Sequence, residues 1–332
     1  MNAPRAIDMH SHYYGGLVED LIGRDVRPYV TRAIDGALTL HAMTASTPIG
    51  PGYVDLDARL KYMDERRIAS QLLTFPGALG VDVIPGRAVC DAIVRFNTRL
   101  AAICRGSGGR FHGLAGLPLA DMAAAVGEMH RVRRELGLAG AILPGNYFLS
   151  IDHVRQLEPV FDAANAARAL LMIHPGLKVG EGAPAPFADT NVQRSSSLAL
   201  QASLSQMGLT VIVERLAERY PDIVFQLVNL GGTLPFIVER MEAVALTREP
   251  YLPFPRAALR GMVYDCASLG PRALELAVKV FGADRIMLGT DYPIFSPDPV
   301  REAIETADLP AADRDLILYG TAQTVLGGVY GG

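Results

Sequence analysis

The feature that most constrains this chain is a rhythm of short apolar runs separated by longer amphipathic segments. Eight runs have strand length: Ala6–His10, Ser70–Pro76, Phe111–Pro118, Gly140–Pro144, Ala169–Pro175, Ile223–Asn229, Met262–Ala267 and Arg285–Tyr292. Near-continuous apolar strands belong to a parallel sheet buried on both faces. Between them apolar residues recur at helical spacing, in Leu56–Arg67, Arg87–Arg105, Met122–Leu136, His153–Ala167, Leu198–Arg219, Leu234–Val244, Arg272–Phe281 and Pro299–Thr306. A last segment, Ala311–Leu326, leads to Gly327-Gly328, which reads as its C-cap. Eight such units close an α/β (β/α)8 barrel of the TIM type. The rival, an open doubly wound sheet, needs a glycine-rich turn after its first strand, and here that strand ends Asp8-Met9-His10-Ser11-His12. Residues 1–332 are read as a single domain, because α/β barrels often reach this length.

Two stretches break the rhythm. Tyr13–Tyr53 follows strand one and Gly176–Ser197 follows strand five, both rich in Gly and Pro. Long loops at strand C-termini lie on the barrel face that carries active sites, so both are expected to wall or cover a site.

Charge excludes some partners. Lys and Arg number 31 against 35 Asp and Glu, a net charge of −4, with no basic run. Nothing would neutralise phosphates, so neither nucleic acid nor an anionic membrane is expected as a partner. No run of about 18 apolar residues appears, and the N-terminus lacks a signal-peptide core. Three cysteines, Cys90, Cys104 and Cys266, form neither a disulfide framework nor a zinc ribbon. A reducing, cytoplasmic compartment is the expectation.

The chemistry gathers at strand ends. In a strand, His10-x-His12 sets both imidazoles on one side, which at the top of a barrel is the lumen. His174 ends strand five, directly across, and Asp291 ends strand eight, beside strand one. Three neutral imidazoles and one carboxylate converging on a point make a site for one divalent ion, most simply zinc, with manganese and iron accepted by the same donors. The other histidines read as ordinary: His112 at a strand entrance, His130 and His153 on helices. Cys266 either faces the pocket or packs as a small hydrophobe. Tyr13, Tyr14 and Phe295 flank the metal motifs as an apolar wall for a flat substrate, or as loop packing.

With these residues on view, the chain resembles the amidohydrolase superfamily. The resemblance runs from residue 6 to about 327. It rests on Asp8-Met9-His10-Ser11-His12, the Leu60–Met63-Asp64 helix, Ile173-His174-Pro175, Gly231-Gly232-x-Leu234-Pro235-Phe236 and Asp284–Pro293. The branch is similar to aminocarboxymuconate-semialdehyde decarboxylase and the γ-resorcylate, 5-carboxyvanillate and 6-methylsalicylate decarboxylases. The resemblance implies a metal-dependent barrel enzyme with His10, His12, His174 and Asp291 as ligands. It also implies two arginines for substrate carboxylates: Arg59, and Arg240 reaching into the partner of a homodimer. A guanidinium suits that task, although a helix-surface salt bridge is the alternative for each. One departure stands out. Where relatives carry a histidine before the double glycine, this chain has Asn229, and an amide cannot transfer a proton near neutral pH. The resemblance then leaves Asp291 as proton carrier, with loop residue His41 as a second candidate near the substrate.

Two enzymatic readings follow, with a small-molecule carboxylate as substrate in both. The first is a decarboxylase, a carbon–carbon lyase acting on an aromatic or muconate-type acid. The second is a hydrolase or hydratase of a lactone or unsaturated dicarboxylate, which the change to Asn229 favours. The third reading, a ligand-binding barrel without catalysis, leaves the metal quartet unexplained.

Overall fold

The computed structural model describes residues 6–42, 46–182, 191, 193–267, 269–296 and 298–331. Strand β1 (Ala6–His12) is followed by β2 (Tyr29–Arg32), β3 (Leu38–His41) and β4 (Ser46–Pro48), which pair antiparallel in a small sheet of their own. Then come β5 (Ile68–Thr74), β6 (Phe111–Ala115), β7 (Gly140–Pro144), β8 (Leu170–His174), β9 (Val224–Leu227), β10 (Met262–Asp265) and β11 (Ile286–Met287). With β1 these seven form one eight-stranded parallel sheet in the order β1-β5-β6-β7-β8-β9-β10-β11. Backbone bonds between its ends close the ring. Met9 N–H donates to Leu288 O at 2.9 Å, Asp291 N–H to His10 O at 2.8 Å and His12 N–H to Tyr292 O at 2.7 Å. The expected barrel is therefore present. Every residue of β7 and β8 is buried, as helices outside and side chains inside require.

The helices form where capping and apolar spacing agree. Helix α1 (Leu56–Glu65) begins at Asp55, whose side chain accepts from the N–H groups of Asp57 and Ala58. Helix α2 (Arg87–Gly106) buries Val89, Ile93, Phe96 and Leu100, one stripe at steps of three and four. Asp121 caps α3 (Met122–Arg134) in the same way. Further along are α4 (Glu158–Ala166), α5 (Leu200–Val213), α6 (Leu234–Thr247), α7 (Pro271–Phe281), α8 (Asp298–Thr306) and α9 (Thr321–Tyr330).

Two boundaries differ from the sequence reading. The segment expected over Leu198–Arg219 is interrupted by Arg215, in the left-handed region at φ 52°, so a separate turn covers Leu216–Arg219. Gly327 and Gly328 do not end the last helix. It continues to Tyr330, because Val325, Leu326 and Val329 stay buried and Arg133 donates to the Val329 carbonyl at 2.7 Å. The helical stretch Gln193–Val213 is long and apolar enough to cross a membrane, and its Leu204, Met207, Val211 and Ile212 are buried within the protein.

The first long loop is largely structured, with a short helix (Leu17–Leu21) and the β2–β3–β4 sheet. Most of the second loop's centre, residues 183–190 and 192, lies outside the described residues, so its expected role as a lid is not tested there.

Candidate metal centre

The end of β1 carries His10 and His12, the end of β8 carries His174, and Asp291 follows β11 at the seam. Their ligand atoms lie within 4.8 Å of one another, and all four residues are buried. The imidazole centroids stand 5.2 Å (His10–His12), 5.3 Å (His10–His174) and 4.8 Å (His12–His174) apart, with the rings edge to face. Asp291 Oδ1 is 3.0 Å from His12 Nε2 and 3.6 Å from His10 Nε2.

Each ring turns its Nδ1 to a group outside the cluster, through a hydrogen bond for His12 and His174 and at ion-pair distance for His10. His12 Nδ1 meets Thr74 Oγ1 at 2.8 Å, His174 Nδ1 meets the Pro175 carbonyl at 3.0 Å and His10 Nδ1 lies 3.1 Å from Asp265 Oδ2. This is how ligating imidazoles are aimed: one nitrogen is fixed by a partner and the other is presented to a cation. Both His10 nitrogens and Asp291 Oδ1 are buried without a partner in hydrogen-bonding geometry; Asp265 stands at ion-pair distance from Nδ1, and leaving Nε2 and Oδ1 unmet would be costly without an ion between them. The donors therefore fit a single divalent cation.

Protonation follows burial and charge. Burial would lower His10, but the carboxylates of Asp265 and Asp291 outweigh it and hold it up at about 9. Burial lowers His12, and lowers His174 further with the neighbouring imidazoles adding to the effect. Burial alone would raise Asp291, yet the three imidazoles bring it down to about 2, so it is a carboxylate at neutral pH.

Asp291 sits at φ 56°, a backbone region that aspartate tolerates better than most residues. The turn is clamped from β1. Asp8 accepts from Thr290 N–H at 3.0 Å, Thr290 Oγ1 at 2.6 Å and Gln71 Nε2 at 2.7 Å. The sequence reading quoted Asp8 within its motif without giving it this task.

The cluster forms one side of a cavity of about 410 Å³. Tyr14, Leu200, Val228, Leu269, Ile294 and Phe295 supply much of the wall, and Asn229 contributes an amide. No Lys or Arg lines it among the described residues. Asn229 is also left-handed, at φ 53°, and its N–H donates to Asp265 Oδ1 at 3.1 Å.

Two residues expected near the substrate, Arg59 and His41, stand away from the metal cavity. Arg59 is wholly buried, and its guanidinium is spent on the protein: it donates to His12 O at 2.5 Å, Gly52 O at 2.6 Å and Gln71 Oε1 at 2.8 Å. It braces the loop after β1 and does not line the metal cavity. His41 lies in the small antiparallel sheet, bonded to Thr31 Oγ1 and Ser46 Oγ and stacked on Tyr29 at 4.5 Å. Arg240, expected to reach into a partner subunit, is exposed on α6 and is not among the described residues lining the metal cavity of its own chain. Tyr13 packs toward Arg59, while Tyr14 and Phe295 do form wall. At the end of β10 it is Asp265, not Cys266, that meets the cluster; burial pushes the Cys266 thiol up to about 12. Asp265 has no motif around it, and strand parity against its neighbour was the one available signal.

The fold and this donor set define a class, and a model of the amidohydrolase family matches residues 7–328: the chain belongs to that family. More particularly, it is 26% identical over 285 residues to a γ-resorcylate decarboxylase of Rhodococcus jostii, covering 78% of this chain and 83% of that protein. It is 25% identical over 283 residues to a 2-amino-3-carboxymuconate-6-semialdehyde decarboxylase of Dictyostelium discoideum, covering 82% and 77%. A dihydroxybenzoic acid decarboxylase of Polaromonas, solved with manganese and the inhibitor 2-nitroresorcinol, shares the fold at a TM-score of 0.74 and 22% identity, over 97% of each chain.

Proposed function

We propose that the protein is a metal-dependent, non-oxidative decarboxylase of a small hydroxyaryl carboxylic acid. The observation that carries this is the buried cluster of three imidazoles and one carboxylate at a cavity whose remaining wall is mostly apolar, with Ser197, Gln201 and Asn229 as its polar members. The relatives named as decarboxylases support the same reading. His10, His12, His174 and Asp291 would hold zinc or manganese, which when bound supplies Lewis acidity to the substrate's carboxylate and adjacent oxygen.

The chain's own groups then do the rest. Asp291, a carboxylate at neutral pH, takes the proton of the substrate hydroxyl and delivers it to the ring carbon bearing the carboxylate. The bond to the carboxylate carbon breaks, its electron pair returns to the ring as a phenolate, and CO2 leaves. Asn229 cannot move a proton; its amide hydrogen-bonds a substrate oxygen. The largely apolar walls favour this step, because the localised charge of the carboxylate becomes a phenolate charge spread over the ring and oxygen. An aromatic monoacid is preferred over a muconate-type dicarboxylate, since among the described residues of one chain a second carboxylate would meet the Ser197, Gln201 and Asn229 polar groups and apolar wall, with no Lys or Arg.

Arg240 enters this proposal only through a homodimer, as a group offered to a second copy; Arg240→Ala and sedimentation test it together. Three free cysteines suit a reducing, cytoplasmic setting.

The deciding experiment is a panel of hydroxybenzoates and muconate-like acids incubated with manganese- or zinc-loaded protein, with CO2 and acid release followed separately. CO2 release is expected. Acid release without CO2 would replace the lyase with a hydrolase, and no turnover of any member would reject the assignment.

A further inference from the structure

Two buried carboxylates lie beneath the cluster, and they do different things. Asp8 bonds the Gln71 amide, Thr290 and the His10 backbone N–H, and meets no imidazole. Asp265, wholly buried at the end of β10, places Oδ2 3.1 Å from His10 Nδ1. The same Oδ2 accepts from Gln226 Nε2 at 3.0 Å, and that amide also donates to the Met9 carbonyl at 3.0 Å. Its other oxygen, Oδ1, accepts from the backbone N–H groups of Asn229 at 3.1 Å and Ala267 at 3.2 Å.

The approach depends on a glycine. A Cβ at Gly289 would lie 2.7 Å from Asp265 Cβ and 2.8 Å from His10 Cβ, wedging the two side chains apart. Asn229, Leu230 and Gly231 form a run with φ of 53°, 53° and 67°. Such a run persists only where the surroundings determine it, and the Asp265 bond to Asn229 N–H is an anchor of that kind.

We propose that Asp265 is a positioning residue that sets the metal centre and the cavity wall at once. It holds the His10 ring so that Nε2 faces the ion, and it holds the backbone that presents Asn229 to the substrate. A carboxylate accepting from the far nitrogen of a ligating imidazole fixes the ring and raises its basicity. One side chain therefore ties ligand strand β1 to the loop after β9. This rests on the metal-centre reading above.

The test uses the full chain and Zn2+ alone, with affinity measured by competition against a chromophoric chelator and the melting temperature of the metal-free protein as a fold control. Asp265→Asn keeps an oxygen for the Asn229 and Ala267 N–H groups but removes the charge beside His10. Zn2+ affinity is expected to fall by about 10–100-fold, with the metal-free protein still folded and its melting temperature lowered only by the lost Gln226 bond. Gly289→Ala, which retains both partners and separates them, is expected to weaken Zn2+ binding in the same direction, and it serves if Asp265→Asn does not fold. Affinity within twofold of the parent in either folded variant overturns the proposal. So does a lowered melting temperature with unchanged affinity, which is the mark of a merely structural role. If the parent itself binds no Zn2+, the metal centre fails and this role falls with it; if the parent binds and the variants match it, only the positioning role fails.

Discussion

His12 Nε2 and Asp291 Oδ1 lie 3.0 Å apart, one near the start of the chain and the other near its end. The barrel seam brings them together. His12 N–H donates to Tyr292 O, and Asp8 clamps Thr290, the residue before Asp291. The other nitrogen of His12 is held by Thr74 on the adjacent strand. The pair is therefore fixed by backbone closure and by side chains from both neighbours of β1.

If Asp291 carries the proton, Asp291→Asn retains an oxygen donor but loses the base. Turnover is expected to fall by about 10²–10⁴, measured as CO2 release at saturating metal. Full activity in that variant would remove Asp291 from the proton path.

Chelation is expected to abolish turnover, and added manganese or zinc to restore it. Metal should also raise the melting temperature, since a ligand at a hundredfold excess over its Kd stabilises by about 2.7 kcal/mol. His174→Ala deletes one donor and should erase most of that shift in calorimetry. A shift of the parent's size in His174→Ala would mean that the ion binds elsewhere.

Arg59 is expected to act on stability rather than on substrate affinity. Arg59→Ala strands the buried carbonyl of His12, at about 1–3 kcal/mol, and frees the half-buried one of Gly52, which water can reach at smaller cost. Denaturant unfolding should show the loss. The surviving folded enzyme should keep its KM within a few-fold; a large rise in KM with stability intact would return Arg59 to the substrate.

Asp82 gives a pH dependence separate from the metal. Its carboxyl is buried, and burial raises it from 3.8 to about 8. The folded state therefore holds a proton that the unfolded state releases between about pH 4 and 8, and Asp82 makes stability fall as pH rises through that window. Asp82→Asn removes this dependence. The variant should gain on the parent steadily from pH 5 to 8, by at most about 1.4 kcal/mol per pH unit, read from urea midpoints. Parallel pH profiles would show that Asp82 has found a partner.

How much of this was legible depends on the kind of signal. The eight strands and the quartet His10, His12, His174 and Asp291 could be read, because period-two alternation and strand-end position are local facts that barrel closure converts into convergence. Asn229 could be placed on the wall by motif alone. Arg59 and His41 were misplaced because a guanidinium or imidazole carries no mark of which partners it will meet. Asp265 was passed over because a single aspartate beside a cysteine has no pattern to it.

The sequence by itself determined the alternation of elements, the barrel and the donors at its mouth, since each follows from the order and polarity of neighbouring residues. Only the tertiary structure decided which charged groups are consumed inside the protein, such as Arg59, and which reach the cluster, such as Asp265. That outcome depends on distances between segments remote in the chain, and packing alone sets those distances.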